Sequence, residues 1–251
     1  MSNPTASLLI IGNEILSGRT IDANLSYIAR VLGTAGIRMT EARIVPDIEA
    51  RIIEAVRALA ASTTYVFTTG GIGPTHDDIT AASIARAFDV PLVRNAEAER
   101  RLRAYYPPEK VNDARLRMAD IPQGASLIDN PVSTAPGFVL RNVHVLPGVP
   151  RIMQPMLDLL VPTLTGGKPL RSRTVVCDEA EGVLADGLRQ LQATHGSVEI
   201  GSYPGQRDGR PETSIVFRGT DPRAIEAAVL AFADLARQIG FAAEDQGLAP
   251  L

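Results

Sequence analysis

Tyr65-Val66-Phe67-Thr68-Thr69 is a short, strand-like run that empties into Gly70-Gly71-Ile72-Gly73-Pro74-Thr75-His76-Asp77-Asp78-Ile79-Thr80. A strand must therefore give way within a few residues to a glycine bend and then to a helix start. Gly70, Gly71 and Gly73 lack the Cβ that would keep the backbone from turning successive N–H groups into one concavity, a shape suited to phosphate. The helix that follows adds unpaired first-turn amides and the positive end of its dipole. Asp77 and Asp78 would repel a bare phosphate, and a divalent cation bridging carboxylate and phosphate oxygens removes that conflict. The expected ligand is a metal-bound phosphoester or pyrophosphate.

The rest of the first 160 residues alternates between strand and helix patterns. Ser7 to Ile11 is a continuous apolar run, as in a strand buried on both faces. Asp22 is placed to cap a helix carrying Leu25, Ile28, Ala29 and Leu32 at helical spacing, with Gly33 and Gly36 as its stop. Ile37 to Val45 reads as a strand, Ile48, Ile52, Val56 and Leu59 as a second helical stripe, and Ile79 to Phe88 as the helix after the glycine bend. Arg94 to Met118 is polar and helical in two pieces, broken at Pro107-Pro108. Ala125–Ile128, Phe138–Leu140 and Val143–Leu146 read as further strands and Arg151–Leu160 as a closing helix, in which Pro155 forfeits a ladder bond. This rhythm predicts an α/β fold, a three-layer α/β/α arrangement on a mainly parallel sheet, with its ligand site at the carboxyl ends of the strands. Leu164 to Pro169 is a linker, which sets domains at 1–168 and 169–251. Beyond it, strand, helix, strand, strand and helix predict a small C-terminal α+β sandwich.

Composition narrows the ligand. A net charge of -3, no Trp and no dense basic tract exclude a nucleic-acid surface. The run from Leu8 to Ile11 is too short for a signal peptide or a membrane span, so a cytoplasmic protein without membrane partners is expected. Cys177 is the only cysteine. That excludes an intramolecular disulfide and a cysteine-based zinc cluster, and a buried strand position is its expected role.

Three loops should meet at one sheet edge: Gly12 to Gly18 after the first strand, Gly70 to Asp78 after the third, and Leu146 to Pro150 after the last. Of the two adjacent acids, one is expected to cap the helix and the other to face the ligand. Glu14 is a candidate third carboxylate for a shared cation. Gly12, Asn13, Glu14, Gly70, Gly71, Gly73, Thr75, Pro147 and Gly148 are the candidate ligand contacts. Asp22 and Asn24 either meet ligand hydroxyls or open the helix. Ser133 and Thr134 either donate to phosphate or tighten a turn. His76 either serves phosphate or proton transfer or is an idle loop residue, whereas His144 and His195 read as structural. No Walker A loop, dinucleotide-binding glycine fingerprint, nucleophile elbow or His-Glu-x-x-His motif occurs. Metal-assisted attack by water, with Asp77, Asp78 and His76 as the catalytic set, is the simplest chemistry left.

Ile11 to Gly18 with Asp22 and Asn24, the Thr69 to Thr80 motif, Asn130 to Phe138 and Pro147 to Pro150 together resemble the molybdopterin-binding domain of MoaB/MogA-type proteins. The likeness is strongest to the N-terminal part of the competence/damage-inducible CinA proteins and to their relatives fused to FAD synthase, and it spans about Ser7 to Leu164. The remainder resembles the small domain that follows in CinA-type proteins. The resemblance implies an α/β/α fold that binds a pterin phosphate or a nucleotide diphosphate. It further implies divalent-metal-dependent hydrolysis (Mg²⁺, Mn²⁺ or Co²⁺) of ADP-ribose or FAD, releasing AMP. Ile72 stands where the MoaB/MogA branch has Thr, and Asp77-Asp78 where that branch has Arg-Asp, which argues against molybdopterin adenylylation. The nicotinamide-nucleotide amidase domain of full-length CinA is not in this sequence, and its activity is expected to be absent. The alternatives are a non-catalytic molybdopterin or nucleotide carrier and an interaction protein that assembles through its C-terminal domain. A homo-oligomer is expected.

Overall fold

Continuous apolar runs at Thr5–Ile11, Tyr65–Thr69 and Val143–Leu146 leave these segments no face to turn to water, and they form the middle of a sheet. A computed structural model of the protein describes residues 3–250 and divides the chain into two units, one ending at Gly167 and the other beginning at Lys168.

In the first unit the order is β1 (Thr5–Ile11), α1 (Asn13–Leu16), α2 (Asn24–Thr34), β2 (Arg38–Val45), α3 (Glu49–Ser62), β3 (Tyr65–Thr69) and α4 (Thr80–Ala87). Then come β4 (Leu92–Arg94), α5 (Ala96–Tyr105), α6 (Asp113–Leu116), β5 (Asp120–Pro122), β6 (Ser126–Ile128), β7 (Gly137–Leu140), β8 (Val143–Leu146) and α7 (Pro150–Leu160). The main sheet runs β2-β1-β3-β8-β7-β6. β1 pairs in parallel with β2 and β3, and β3 with β8, while β7 is antiparallel to both of its neighbours.

Side chains alternate across this sheet into two cores. Leu9, Ile11, Val66, Val143 and Val145 meet Ile52, Val56 and Leu59 of α3 and Ile84 of α4 on one face. On the other, Leu8, Ile10, Phe67 and Leu146 meet Ile28 and Leu32 of α2 and Met153, Met156 and Leu157 of α7. The architecture is three-layer α/β/α on a mainly parallel sheet. His144 occupies a core position in β8, where its ring stacks on Phe67 at 5.1 Å, and burial pushes its imidazole pKa down.

Some local readings change. Leu25 is exposed, so the buried stripe of α2 rests on Ile28 and Leu32. Gly33 lies inside α2, and the stop is Gly36, whose φ of 71° suits a residue without Cβ. Pro155 sits within an unbroken α7. The segment from residue 92 to 122 is helical in two pieces but is also flanked by β4 and β5, which pair antiparallel. It carries a small core of its own, built of Ala98, Leu102, Leu116 and Ala119.

The second unit comprises β9 (Arg171–Cys177), α8 (Glu181–Thr194), β10 (Glu199–Arg207), β11 (Arg210–Gly219), α9 (Pro222–Ile239) and β12 (Ala243–Pro250). Its antiparallel sheet is ordered β10-β11-β9-β12. Val175, Cys177, Ile215 and Phe217 pack on Leu184 and Leu191 of α8 and on Ile225 and Phe232 of α9, so this is an α+β unit in which both helices share one core with the sheet. The final strand β12 has no counterpart in the sequence reading. Among the described residues no helix is long and apolar enough to cross a membrane.

Phe232 is fully buried between the rings of Phe217 and Phe241, at 5.9 and 6.0 Å, whereas Leu230 on the same helix is exposed. Phe232→Ala should therefore cost about 3–5 kcal/mol in urea unfolding followed by circular dichroism. Leu230→Ala should stay within about 0.5 kcal/mol. Equal effects would contradict the assignment of the buried face.

Candidate functional site

Gly70 is the wedge at which three loops meet. It follows the central strand β3, and a Cβ placed on it would lie 2.1 Å from the Ile11 carbonyl oxygen at the end of β1. On its other side, a Cβ on Gly148 would approach the Gly70 Cα to 3.3 Å. Only a residue without a side chain, and with φ of 100°, allows the ends of β1, β3 and β8 to come this close. Asn24 fastens the third loop by donating from Nδ2 to the Gly148 carbonyl at 2.8 Å. Asn24 is itself buried, and its Oδ1 has no partner among the described residues, so it can accept from a hydroxyl or water.

The bend then divides its amides. The Gly70 N–H donates inward to the Leu146 carbonyl, and the Gly12 N–H donates to Val45, so neither is available to a ligand. This corrects the expectation that Gly70 belongs to the anion-binding concavity. The amides of Gly71, Ile72 and Gly73 have no acceptor among the described residues. Thr80, fully buried at the start of α4, holds the bend from behind: its Oγ1 donates to the Gly70 carbonyl at 3.0 Å and its N–H to the Gly71 carbonyl at 3.0 Å. A Cβ on Gly71 would stand 2.2 Å from that hydroxyl.

The acids are placed otherwise than expected. Neither caps α4, whose N-cap is Ile79 and carries no side-chain cap. Both carboxylates converge instead on Thr75: its Oγ1 lies 2.6 Å from Asp77 Oδ1 and 2.5 Å from Asp78 Oδ2, and its N–H donates to Asp78 Oδ2 at 2.7 Å. Closing this tight turn satisfies a loop amide that a helix cap would have left unpaired. The Thr75 hydroxyl has one proton to share between two anions. The His76 side chain is 96% exposed with Nδ1 3.9 Å from Asp77 Oδ1, and it does not line the cleft described below.

Other candidates sort plainly. Asp22 Oδ1 accepts from the N–H groups of Asn24 and Leu25 at 3.1 and 2.8 Å, so it opens α2. The Asn13 N–H is bound by Asp47 at 2.9 Å. The Glu14 carboxylate folds back over Gly12, 2.5 Å from where a Cβ would stand. It does not join Asp77 and Asp78, and among the described residues no three His, Cys, Asp or Glu side chains form a metal-holding group. Ser133 takes part in a turn organised by Asn130, whose Nδ2 donates to Ser133 Oγ at 2.8 Å and whose Oδ1 accepts the Ser133 N–H at 3.0 Å. Thr134 follows at φ 67°, a strained setting for a β-branched residue. Pro147 is half-buried between β8 and Gly148.

A cleft of about 30 Å³ opens against the bend, lined by Gly71, Ile72, Gly73 and Asp78 together with Arg117, Met118, Asp120, Ile121, Pro136 and Phe138. Sequence reasoning reached Gly71, Gly73 and Asp78, and missed Arg117 and Asp120 because the 92–122 segment offers no spacing that marks a cleft lining. Asp120 pairs with Arg94 at 2.5 Å. The cleft lining thus combines a glycine bend, a guanidinium and carboxylates on an α/β domain.

The domain family described as "Probable molybdopterin binding domain" matches residues 7–166, and the "FAD synthase, middle domain" matches residues 169–243. A protein of Archaeoglobus fulgidus is 34% identical, with 91% of this chain and 96% of that protein covered. A CinA-like protein of Desulfosudis oleivorans is 35% identical over 90% of this chain but only 57% of its own length. A solved structure titled as the protein CinA with unknown function, from Thermoplasma acidophilum, superposes with a TM-score of 0.59 at 34% identity, covering 63% of this chain and 98% of that one. The chain belongs to the molybdopterin-binding-domain family, among its CinA-like members.

The hydrogen bond from Thr75, aided by a backbone amide and by His76, lowers the Asp77 carboxyl below its ordinary 3.8. A depressed folded-state value adds stability that is present above the unfolded value and is lost as the pH falls through the folded one. Carboxyl NMR titration should place the Asp77 midpoint below 3.8, and Thr75→Val should raise it. A midpoint that does not respond to this substitution would contradict the role of Thr75.

Proposed function

We propose that the first unit hydrolyses the diphosphate of a nucleotide such as ADP-ribose or FAD, releasing AMP, with the help of a divalent cation. One observation carries this reading: Gly71, Ile72 and Gly73, whose amides have no acceptor among the described residues, line the same cleft as Asp78. The amides would bind phosphate oxygens and stabilise the negative charge that builds on them during attack at phosphorus. Because the bend is braced by Thr80, its donors are already oriented before the ligand arrives. The Asn24 Oδ1, buried and unpartnered beside Gly148, would accept from a water or a ligand hydroxyl nearby. The likeness of residues 169–243 to the FAD synthase middle domain supports a flavin nucleotide among the candidate substrates.

Asp78 and Asp77 are the residues that would hold Mg²⁺, Mn²⁺ or Co²⁺. The donor set fits: hard carboxylate oxygens, two of them drawn within 2.6 Å of one hydroxyl, in an exposed loop open to water. Small divalent ions are commonly held by one or two carboxylates plus substrate phosphate and water. When bound, such an ion polarises a phosphoryl oxygen and lowers the pKa of the attacking water. Glu14 and His76 have no part in this arrangement.

A second reading, binding of molybdopterin or a nucleotide without turnover, is favoured because no group of three His, Cys, Asp or Glu side chains among the described residues is placed to hold a metal. Incubation of the protein with ADP-ribose or FAD and each metal, followed by mass spectrometry, separates the two. Hydrolysis predicts AMP, and Asp78→Asn should slow its release by about tenfold or more. Ligand-dependent thermal stabilisation with no product in any metal would establish the carrier reading instead.

A further inference from the structure

We propose that Arg117 is a second anion anchor in the cleft and that it selects ligands carrying two linked phosphate groups over those carrying one. The inference rests on the Gly71–Gly73 bend being the phosphate site, and it adds the ligand class and the residue that sets it.

Arg117 begins a single 3₁₀ turn, Arg117–Ala119, between α6 and β5. Its neighbours Leu116 and Ala119 are buried in the small core with Ala98 and Leu102, so its backbone is fixed while its side chain remains exposed. Every other arginine of the 92–122 segment has a partner. Arg94 pairs with Asp120 and Glu99, Arg100 with Glu97, Arg101 with Glu97 and Asp129, and Arg103 with Glu99. Arg115 donates to the Lys110 carbonyl and lies over the Tyr106 ring. The Arg117 guanidinium alone of these has no hydrogen bond, ion pair or ring contact among the described residues, and it is the only cationic side chain lining the cleft. The nearest acid in sequence, Asp120, is already engaged by Arg94 through two hydrogen bonds.

Three convergent amides suffice for the oxygens of one phosphoryl group. The guanidinium of Arg117, on the lining of the same cleft, supplies a planar fork of donors for a second, adjoining group. A single phosphate held at the bend by its terminal oxygens offers Arg117 only its one remaining oxygen, an ester oxygen in a monoester or a hydroxyl in inorganic phosphate, and so gains little from it. A diphosphate presents a second anionic centre one bridging oxygen away.

Isothermal titration of the whole chain with inorganic pyrophosphate and with inorganic phosphate, each with MgCl₂ at matched ionic strength, tests this. The wild-type protein should prefer pyrophosphate by about tenfold or more, as expected for an added charge-assisted pair. Arg117→Ala should lose about tenfold in pyrophosphate affinity and less than about twofold for phosphate. Arg117→Gln, which keeps most of the volume, should behave like Arg117→Ala, and Arg117→Lys should retain part of the preference. Arg100→Ala, which removes a paired surface arginine of the same segment, should change neither affinity. Retention of the full preference in Arg117→Ala and Arg117→Gln would overturn the role of Arg117 while leaving the phosphate site standing. An equal loss in Arg100→Ala would overturn it too, because net charge would then explain the effect. Failure of the wild-type protein to bind either anion would remove the phosphate site itself.

Discussion

The site depends on a missing side chain. Gly70 sits at the exit of the central strand, and a methyl group there would run into the Ile11 carbonyl and require the end of β1 to withdraw, while a Cβ on Gly148 would press on Gly70 from the third loop. Parallel strands place their carboxyl ends at one edge in any doubly wound sheet, but that alone leaves neighbouring loops separated by the width of their side chains. The glycine closes that gap. It brings Asn24 of α2 within hydrogen-bond reach of the third loop and turns the edge of a sheet into one continuous surface.

The same bend separates folding from binding within four residues. With φ of 100° and then 66° at Gly70 and Gly71, the backbone reverses direction. Gly70 therefore continues the β3–β8 ladder through its N–H while the next three amides leave it. Thr80 then ties the carbonyls of Gly70 and Gly71 to the first turn of α4, so the open donors stand on a braced frame. Donors left open to solvent cost little before a ligand arrives, because water satisfies them. Their fixed orientation is what a mobile loop would lack.

What could be read from residue order follows from the strength of each local signal. β3 matches its expected limits because a continuous strand-like run that empties into glycines admits one reading. β4 and β5 were invisible: each has three residues, β4 is exposed throughout, and only their mutual pairing defines them. The same holds for Arg117, since whether an arginine is paired is a property of the folded surface and no motif encodes it. The convergence of the three loops was legible, because parallel topology dictates it. The partition of their amides was not, because it turns on the orientation of individual peptide planes. Glu14 was within range by topology and is removed by rotation of its side chain toward Gly12.

The acids beside an anion site pose an electrostatic question that Thr75 only half answers. One hydroxyl proton lies within 2.6 Å of two carboxylate oxygens, so at any instant at least one of those oxygens faces the Thr75 oxygen without a hydrogen between them. The Thr75 amide relieves Asp78 Oδ2, and the lowered Asp77 pKa means that protonation does not relieve the other near neutral pH. What remains is a pair of held-together anions short of positive charge, standing next to amides that attract more negative charge. In the role proposed for it, Arg117 would address the phosphate side of that imbalance. A small cation lodged between carboxylate and phosphate oxygens would neutralise both partners at once. Occupancy by metal and by phosphate should therefore be coupled, each strengthening the other.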